Sequence, residues 1–156
     1  MSVGRIPRVG ERAPDFTLAG PGGVAVTLGD LLKRGPIVLY FYPQDETPGC
    51  TIEACSFRDS HEEFVNAAAQ VVGVSRDDEA SHRRFAAKHH LPFLLLSDPT
   101  GEVHDAYGVG KTLGVLRDRV TLVIDRTGIV RHVFTSKIRM RAHIAEALSV
   151  VRQLPL

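Results

Sequence analysis

The run PIVLYFYP, residues 36–43, is apolar without interruption and rich in β-branched and aromatic side chains. It ends at Pro43, so it reads as a strand buried on both faces at the centre of a covered sheet. The runs VVGVS (71–75) and FLLLSD (93–98) read as further buried strands. Helical patterns separate them. One runs from Pro48 to about Ala68, with Phe57, Phe64 and Val65 on its inner stripe. A second is EASHRRFAAKHH, opening behind Asp77, Asp78 and Glu79, which suit the positive end of a helix. A third, short one is EVHDAYGV. FTLAG and VAVTL around the turn PGG predict an N-terminal β-hairpin, and RVTLVID (119–125) and IVRHVF (129–134) around RTG predict another. The last segment, MRAHIAEALSVVRQL, places Ile144, Leu148 and Val151 on one helical face.

This order, β–β–β–α–β–α–β–α–β–β–α, predicts an α/β fold. A mixed central sheet carries helices on both faces, with parallel strands in the middle and an antiparallel final hairpin. The 156 residues contain no internal repeat or linker, so a single domain over residues 1–156 is expected. In such sheets functional sites gather at the carboxyl ends of the central strands. The loop after PIVLYFYP is therefore the first place to look.

That loop leads into TPGCTIEAC, which holds both cysteines of the chain. Two cysteines form no disulfide framework, so redox chemistry, catalysis or packing is their expected role. Thr47 suits an N-cap and Pro48 the first helical position, which makes Gly49 the second helical residue and Cys50 the third. The Cys50 sulfur then lies near unpaired N–H groups at the positive end of a helix, a place that favours thiolate over thiol. Gly49 lets a small substrate approach the backbone. A buried packing role for Cys50 is the competing reading. In one continuous helix, Cys50 and Cys55 would be rotated by about 140° and their Cα atoms separated by about 8.7 Å. A disulfide needs less than about 7 Å. Either the two never pair, or the first turns unwind when they do.

The stretch YFYPQDETPGCTIEACSFRD resembles the active-site segment of the peroxiredoxins, in particular the bacterioferritin-comigratory-protein or PrxQ subfamily. Pro43, Thr47 and Cys50 match the pattern P-x-x-x-T-x-x-C, and Cys55 matches the subfamily's second cysteine. VGERAPDFTL (9–18), LLSD (95–98), YGV (107–109) and RVTLVIDRTGIVRHVF (119–134) follow in the family's order, and GVGKTLGVLRDRVTLVID resembles PrxQ members more than some other branches. The resemblance implies a thioredoxin-like fold and a thiol peroxidase acting on hydrogen peroxide or organic hydroperoxides. It implies that Cys50 is the peroxidatic cysteine and Cys55 the resolving one, joined in an intramolecular disulfide that thioredoxin or a similar dithiol reduces. Thr47, Gly49 and Arg119 would bind the peroxide, and Pro43 would shape the pocket. Of the neighbouring arginines Arg117 and Arg119, only Arg119 matches the motif. The approach RDRV lacks the proline of thioredoxins, and C-x-x-C is absent, so a disulfide reductase is disfavoured. A monomer is the expectation of this subfamily.

Other chemistries find less support. The seven histidines show no zinc-ligand spacing, with His89 and His90 adjacent on a helix. No metal or cofactor is expected. A net charge of +1 gives no argument for nucleic acid or an anionic membrane, and KIRMRAH (137–143) lacks interleaved aromatics. No apolar run approaches the roughly 20 residues of a spanning helix, and the N-terminus has no signal-like apolar region, so a cytoplasmic protein is expected. A non-enzymatic redox sensor using the same cysteine pair is the alternative function. Turnover of peroxide with thioredoxin separates the two.

Overall fold

The computed structural model describes residues 5–109, 111–112, 116–117, 119–135 and 139–155. The elements run β1 (Thr17–Ala19), β2 (Ala25–Thr27), α1 (Leu28–Leu32), β3 (Ile37–Phe41), α2 (Pro48–Asp59), α3 (His61–Asn66), β4 (Gln70–Ser75) and α4 (Glu79–His89). Then come β5 (Leu94–Ser97), α5 (Glu102–Ala106), β6 (Lys111–Thr112), β7 (Leu116–Arg117), β8 (Val120–Ile124), β9 (Val130–Thr135) and α6 (Met140–Arg152).

Seven strands form one sheet in the order β2-β1-β5-β4-β3-β8-β9. β3, β4 and β5 are mutually parallel, and β8 and β9 continue antiparallel from β3. The expected mixed sheet is therefore present, with β3 near its centre. Every residue of β3 is buried, as a strand covered on both faces requires. Its side chains alternate between two cores. Ile37, Leu39 and Phe41 pack with Leu28, Leu31, Val103 and Tyr107, under α1 and α5. Val38, Tyr40 and Tyr42 pack with Cys50, Ala54, Phe57, Phe64, Phe85 and the Ile144, Ala147, Leu148 and Val151 stripe of α6.

Three expectations need correction. The helix predicted from Pro48 to about Ala68 is two helices. Ser60 leaves helical geometry (φ −99°, ψ 6°), and its N–H closes back on Ser56 before α3 begins. The break changes the helical phase, so Phe64 stays buried while Val65 turns out to 54% exposure. The N-terminal hairpin forms, but its second strand ends at Thr27, where α1 starts. Thr27 Oγ1 accepts from the Asp30 N–H at 3.1 Å and caps that helix. Finally, of the acidic run 77–79, Asp78 is the N-cap of α4, accepting from Ser81 N–H, whereas Asp77 turns inward.

Candidate active site

β3 ends at Phe41, and α2 begins at Pro48 after the six-residue loop 42–47. In the β3–β8 register Phe41 lies opposite Val120, so Arg119 sits beside the carboxyl end of β3. The loop 42–47, the first turn of α2 and Arg119 thus converge where the sequence directs attention. Thr47 takes the extended N-cap backbone (φ −79°, ψ 149°), and Pro48 follows at the first helical position. The Thr47 side chain, however, does not cap the helix. Its hydroxyl donates to the Gln44 carbonyl at 2.9 Å. The helical ladder opens with Thr51 N–H to the Thr47 carbonyl at 2.9 Å, so the N–H groups of Gly49 and Cys50 precede it and have no helical acceptor. The Cys50 side chain is 1% exposed, whereas Pro43, Thr47 and Gly49 are half-buried. The arrangement is a buried thiol beneath a short mouth of backbone donors.

Cys55 is partly exposed, and both cysteines are free thiols. α2 runs unbroken through both, so the helical separation worked out above applies.

Arg119 is buried and donates from Nη1 to Glu53 Oε1 at 3.1 Å. Glu53 is fully buried, one turn beyond Cys50 on the same face of α2. Burial pushes its carboxyl up to about 7, and the Arg119 attraction offsets only part of that. Glu53 Oε2 has no hydrogen-bond partner among the described residues, with His143 Nδ1 3.8 Å away. His143 Nδ1 itself meets Thr121 Oγ1 at 2.6 Å. The Tyr40 hydroxyl is also buried and unpaired among the described residues. Burial first, then the charges of Glu53, Cys50 and Asp45, push its ionisation well above the ordinary phenol range, and Arg119 opposes them.

A second polar cluster grips the loop from the other side. Asp45 is buried and accepts from Tyr42 Oη at 2.6 Å and Ser81 Oγ at 2.9 Å, with His82 Nδ1 at 2.7 Å. The Asp45 N–H donates to Asp77 Oδ2 at 2.8 Å, and Ser75 Oγ donates to the same oxygen at 2.6 Å. One ligand atom from each of Asp45, Asp77 and His82 lies within 4.8 Å of the others. Both Asp45 oxygens and both His82 nitrogens are already engaged in hydrogen bonds, so the cluster is a clamp and not an open coordination set.

The sequence singled out Pro43, Thr47, Gly49, Cys50 and Arg119, and the fold brings them together. The Arg117 side chain lies outside the described residues, as does part of 137–143. Glu53, Tyr40, Asp45, His82 and His143 were missed. A signal existed for Glu53: Cys50, Glu53, Ala54 and Phe57 form an i, i+3, i+4, i+7 stripe, and a carboxylate on a buried stripe demands a partner.

Comparison with known proteins gives the family. The AhpC/TSA family pattern matches residues 9–133. Peroxiredoxin Q, chloroplastic, of Oryza sativa subsp. japonica is 47% identical over 146 residues, covering 93% of this chain and 67% of that protein. The structure of the peroxidoxin BcpB of Mycobacterium tuberculosis superposes with a TM-score of 0.89 at 39% identity, over 96% of this chain and 99% of that one. A Xanthomonas campestris bacterioferritin comigratory protein, described for its alkyl peroxide reduction activity, superposes with a TM-score of 0.79 at 34% identity, over 88% and 90% of the two chains. The fold is thus the thioredoxin-like fold of these enzymes, and the chain belongs to the AhpC/TSA family, the peroxiredoxins, as a peroxidase and hence an oxidoreductase. Within that family its relatives are of the peroxiredoxin Q, or bacterioferritin-comigratory, branch.

Proposed function

We propose that this peroxidase reduces hydrogen peroxide and organic hydroperoxides through Cys50, with Cys55 as the resolving thiol. The observation that carries the reading is the buried Cys50 thiol in the uncapped first turn of α2, with Thr47 and Arg119 converging on the same loop. The Cys50 thiolate attacks the terminal oxygen of ROOH. An S–O bond forms, the O–O bond breaks, and RO⁻ leaves to take a proton as ROH. Charge moves from sulfur to the leaving oxygen. Fixed donors from Arg119 and the N–H groups of Gly49 and Cys50 stabilise it without reorganising. Thr47 orients the peroxide, and Pro43 walls the pocket.

The product is a sulfenic acid on Cys50. It condenses with the Cys55 thiol, forming the disulfide and releasing water. Since an intact helix holds the two too far apart, the first turns of α2 unwind at this step. Thioredoxin or a comparable dithiol then donates two electrons and two protons, restoring both thiols. The enzyme acts as a single-domain monomer over residues 1–156, in the cytoplasm; its plant relatives are named as chloroplastic. The alkyl peroxide activity ascribed to the Xanthomonas protein supports organic hydroperoxides as substrates.

The test is NADPH-linked peroxide turnover with thioredoxin and its reductase, together with mass spectrometry of the peroxide-treated protein. Loss of turnover in Cys50→Ser and a Cys50–Cys55 bond in the oxidised wild type are expected. A persistent sulfenic acid with no such bond refutes the resolving role of Cys55.

A further inference from the structure

The loop 42–47 sets the positions of Pro43 and Thr47, yet it is short and contains Glu46 in the left-handed region (φ 65°). A non-glycine residue holds that conformation only where its surroundings over-determine it. The clamp on Asp45 supplies the restraint. Its carboxylate gathers donors from three side chains: Tyr42 at the start of the loop, and Ser81 and His82 on α4. The Asp45 N–H is held in turn by Asp77, ahead of α4. Glu46 adds an exposed pair with Lys88 at 3.0 Å, and Arg58 of α2 donates to the His89 carbonyl at 2.8 Å. α4 therefore holds the chain on both sides of Cys50, the loop ahead of it and the far end of α2 beyond it.

His82 is central to this grip. It is 4% exposed, and each ring nitrogen faces an acceptor: Nε2 the Leu96 carbonyl at 3.0 Å, Nδ1 the Asp45 carboxylate at 2.7 Å. A carbonyl can only accept, so Nε2 carries a hydrogen. His82 thus braces the loop against the backbone of β5, the rigid interior of the sheet. From Asp45 the path to the site is one residue long, because the neighbouring Gln44 carbonyl receives the Thr47 hydroxyl. That hydrogen bond fixes which way the Thr47 oxygen points its remaining lone pairs.

We propose that His82 is a positioning residue of the peroxidase reaction, acting through Asp45 on the loop that carries Pro43 and Thr47. It touches neither peroxide nor sulfur. Its effect is on the alignment of the peroxide, so it bears on attack at oxygen and not on the general reactivity of the thiol. The proposal rests on the reading of Cys50 as the attacking thiol.

The two ring nitrogens can be tested separately. Asparagine places an amide donor near the position of Nδ1, glutamine near that of Nε2. H82N keeps the bond to Asp45, while H82Q keeps only the bond to Leu96. For each reduced protein, rapid quench and mass spectrometry give the rate of Cys50 oxidation by hydrogen peroxide, and iodoacetamide gives the alkylation rate of the same thiol. H82Q is expected to slow oxidation by about ten- to a hundredfold, the range for losing a hydrogen bond to a charged group, with alkylation changed less than about threefold. H82N is expected to stay within about threefold of wild type in both. In a D45N background, H82Q is expected to add nothing, since its route of action is already cut.

Equal losses in H82N and H82Q, oxidation and alkylation slowing together, or additive effects of D45N and H82Q overturn the proposal. Should H82Q not fold, S81A removes another donor to the same carboxylate and carries the same expectation of slowed oxidation with unchanged alkylation. Cys50→Ser serves as the separate control: peroxide consumption surviving in it sinks the reading of Cys50 and leaves the clamp aside.

Discussion

Glu53 is the residue whose substitution tests the electrostatics of this site most directly. It is fully buried, shares one hydrogen bond with Arg119, and its carboxyl is pushed up from 4.5 to about 7, chiefly by burial. The folded protein therefore holds a proton on Glu53 that the unfolded chain has already released between about pH 4.5 and pH 7. In that window the unfolded state binds fewer protons, so stability falls as pH rises. The loss begins above 4.5 and is complete above 7. At about 1.4 kcal/mol per pH unit the interval amounts to about 3 kcal/mol. Glu53→Gln keeps the shape and the acceptor for Arg119 but cannot ionise. Its stability relative to wild type is expected to rise by about 3 kcal/mol between pH 4.5 and pH 8, a difference of about 1.5 M in urea midpoint for an m-value near 2. Urea unfolding of the reduced proteins at four or five pH values measures it. A difference that does not vary with pH refutes the reasoning. A slope of opposite sign would mean that the Arg119 attraction outweighs burial.

The remaining predictions concern the reaction. Arg119→Ala is expected to lower the rate of Cys50 oxidation by about 10²- to 10³-fold in stopped-flow or quench measurements, the usual cost of one preorganised donor at developing charge. Arg119→Lys keeps the charge but loses the planar fork, so it is expected to fall between Ala and wild type; full activity would show that charge alone suffices. Thr47→Val is expected to slow oxidation by about tenfold while iodoacetamide alkylates Cys50 at an unchanged rate, and equal slowing of both would assign Thr47 a merely structural role. Cys55→Ala is expected to reach sulfenic acid at the wild-type rate, trapped by dimedone, but to stall thioredoxin-linked turnover.

Much of the frame was legible because periodicity reports burial. The unbroken apolar run of β3 announced a strand covered on both faces, and the Ile144, Leu148, Val151 spacing announced the inner face of α6. The break at Ser60 was not legible, since no glycine or proline marks it and Phe57 and Phe64 suit a continuous helix equally well. α1 was hidden because Val26, Thr27 and Leu28 read as strand. The cap was nonetheless written in Thr27 and Asp30, with Leu28 and Leu31 as the buried pair. At the site, the motif residues follow one another closely in sequence, and the register of β3 with β8 supplies Arg119. The supporting groups are different in kind. Asp45 and His82 are 37 residues apart, and Glu53 and Arg119 are 66 apart, so only the folded chain pairs them. Lone polar residues on buried stripes, such as Glu53 and His82, were the available signal.

The construction of α2 makes sense of these partners. Its first two turns are poorly secured for a helix at the centre of a site. Gly49 is a weak helix former, Thr47 turns its hydroxyl away from the first N–H groups, Ile52 is 49% exposed, and Glu53 places a carboxyl in the apolar core. Each feature lowers the cost of opening these turns. The flanks are held much more firmly. Asp45 is tied to α4 and to Asp77 just before it, ahead of the helix, while Phe57 is buried among Tyr40, Phe64 and Phe93 beyond it, with Arg58 bonded to the His89 carbonyl. Segments that move are drawn from the least stable parts of a fold. A weak stretch between two strong anchors opens without releasing the loop before it or the helix end after it. That stretch contains Cys50 and Cys55. In the proposed cycle, the attack of Cys50 on peroxide and its pairing with Cys55 both draw on this one piece of local structure.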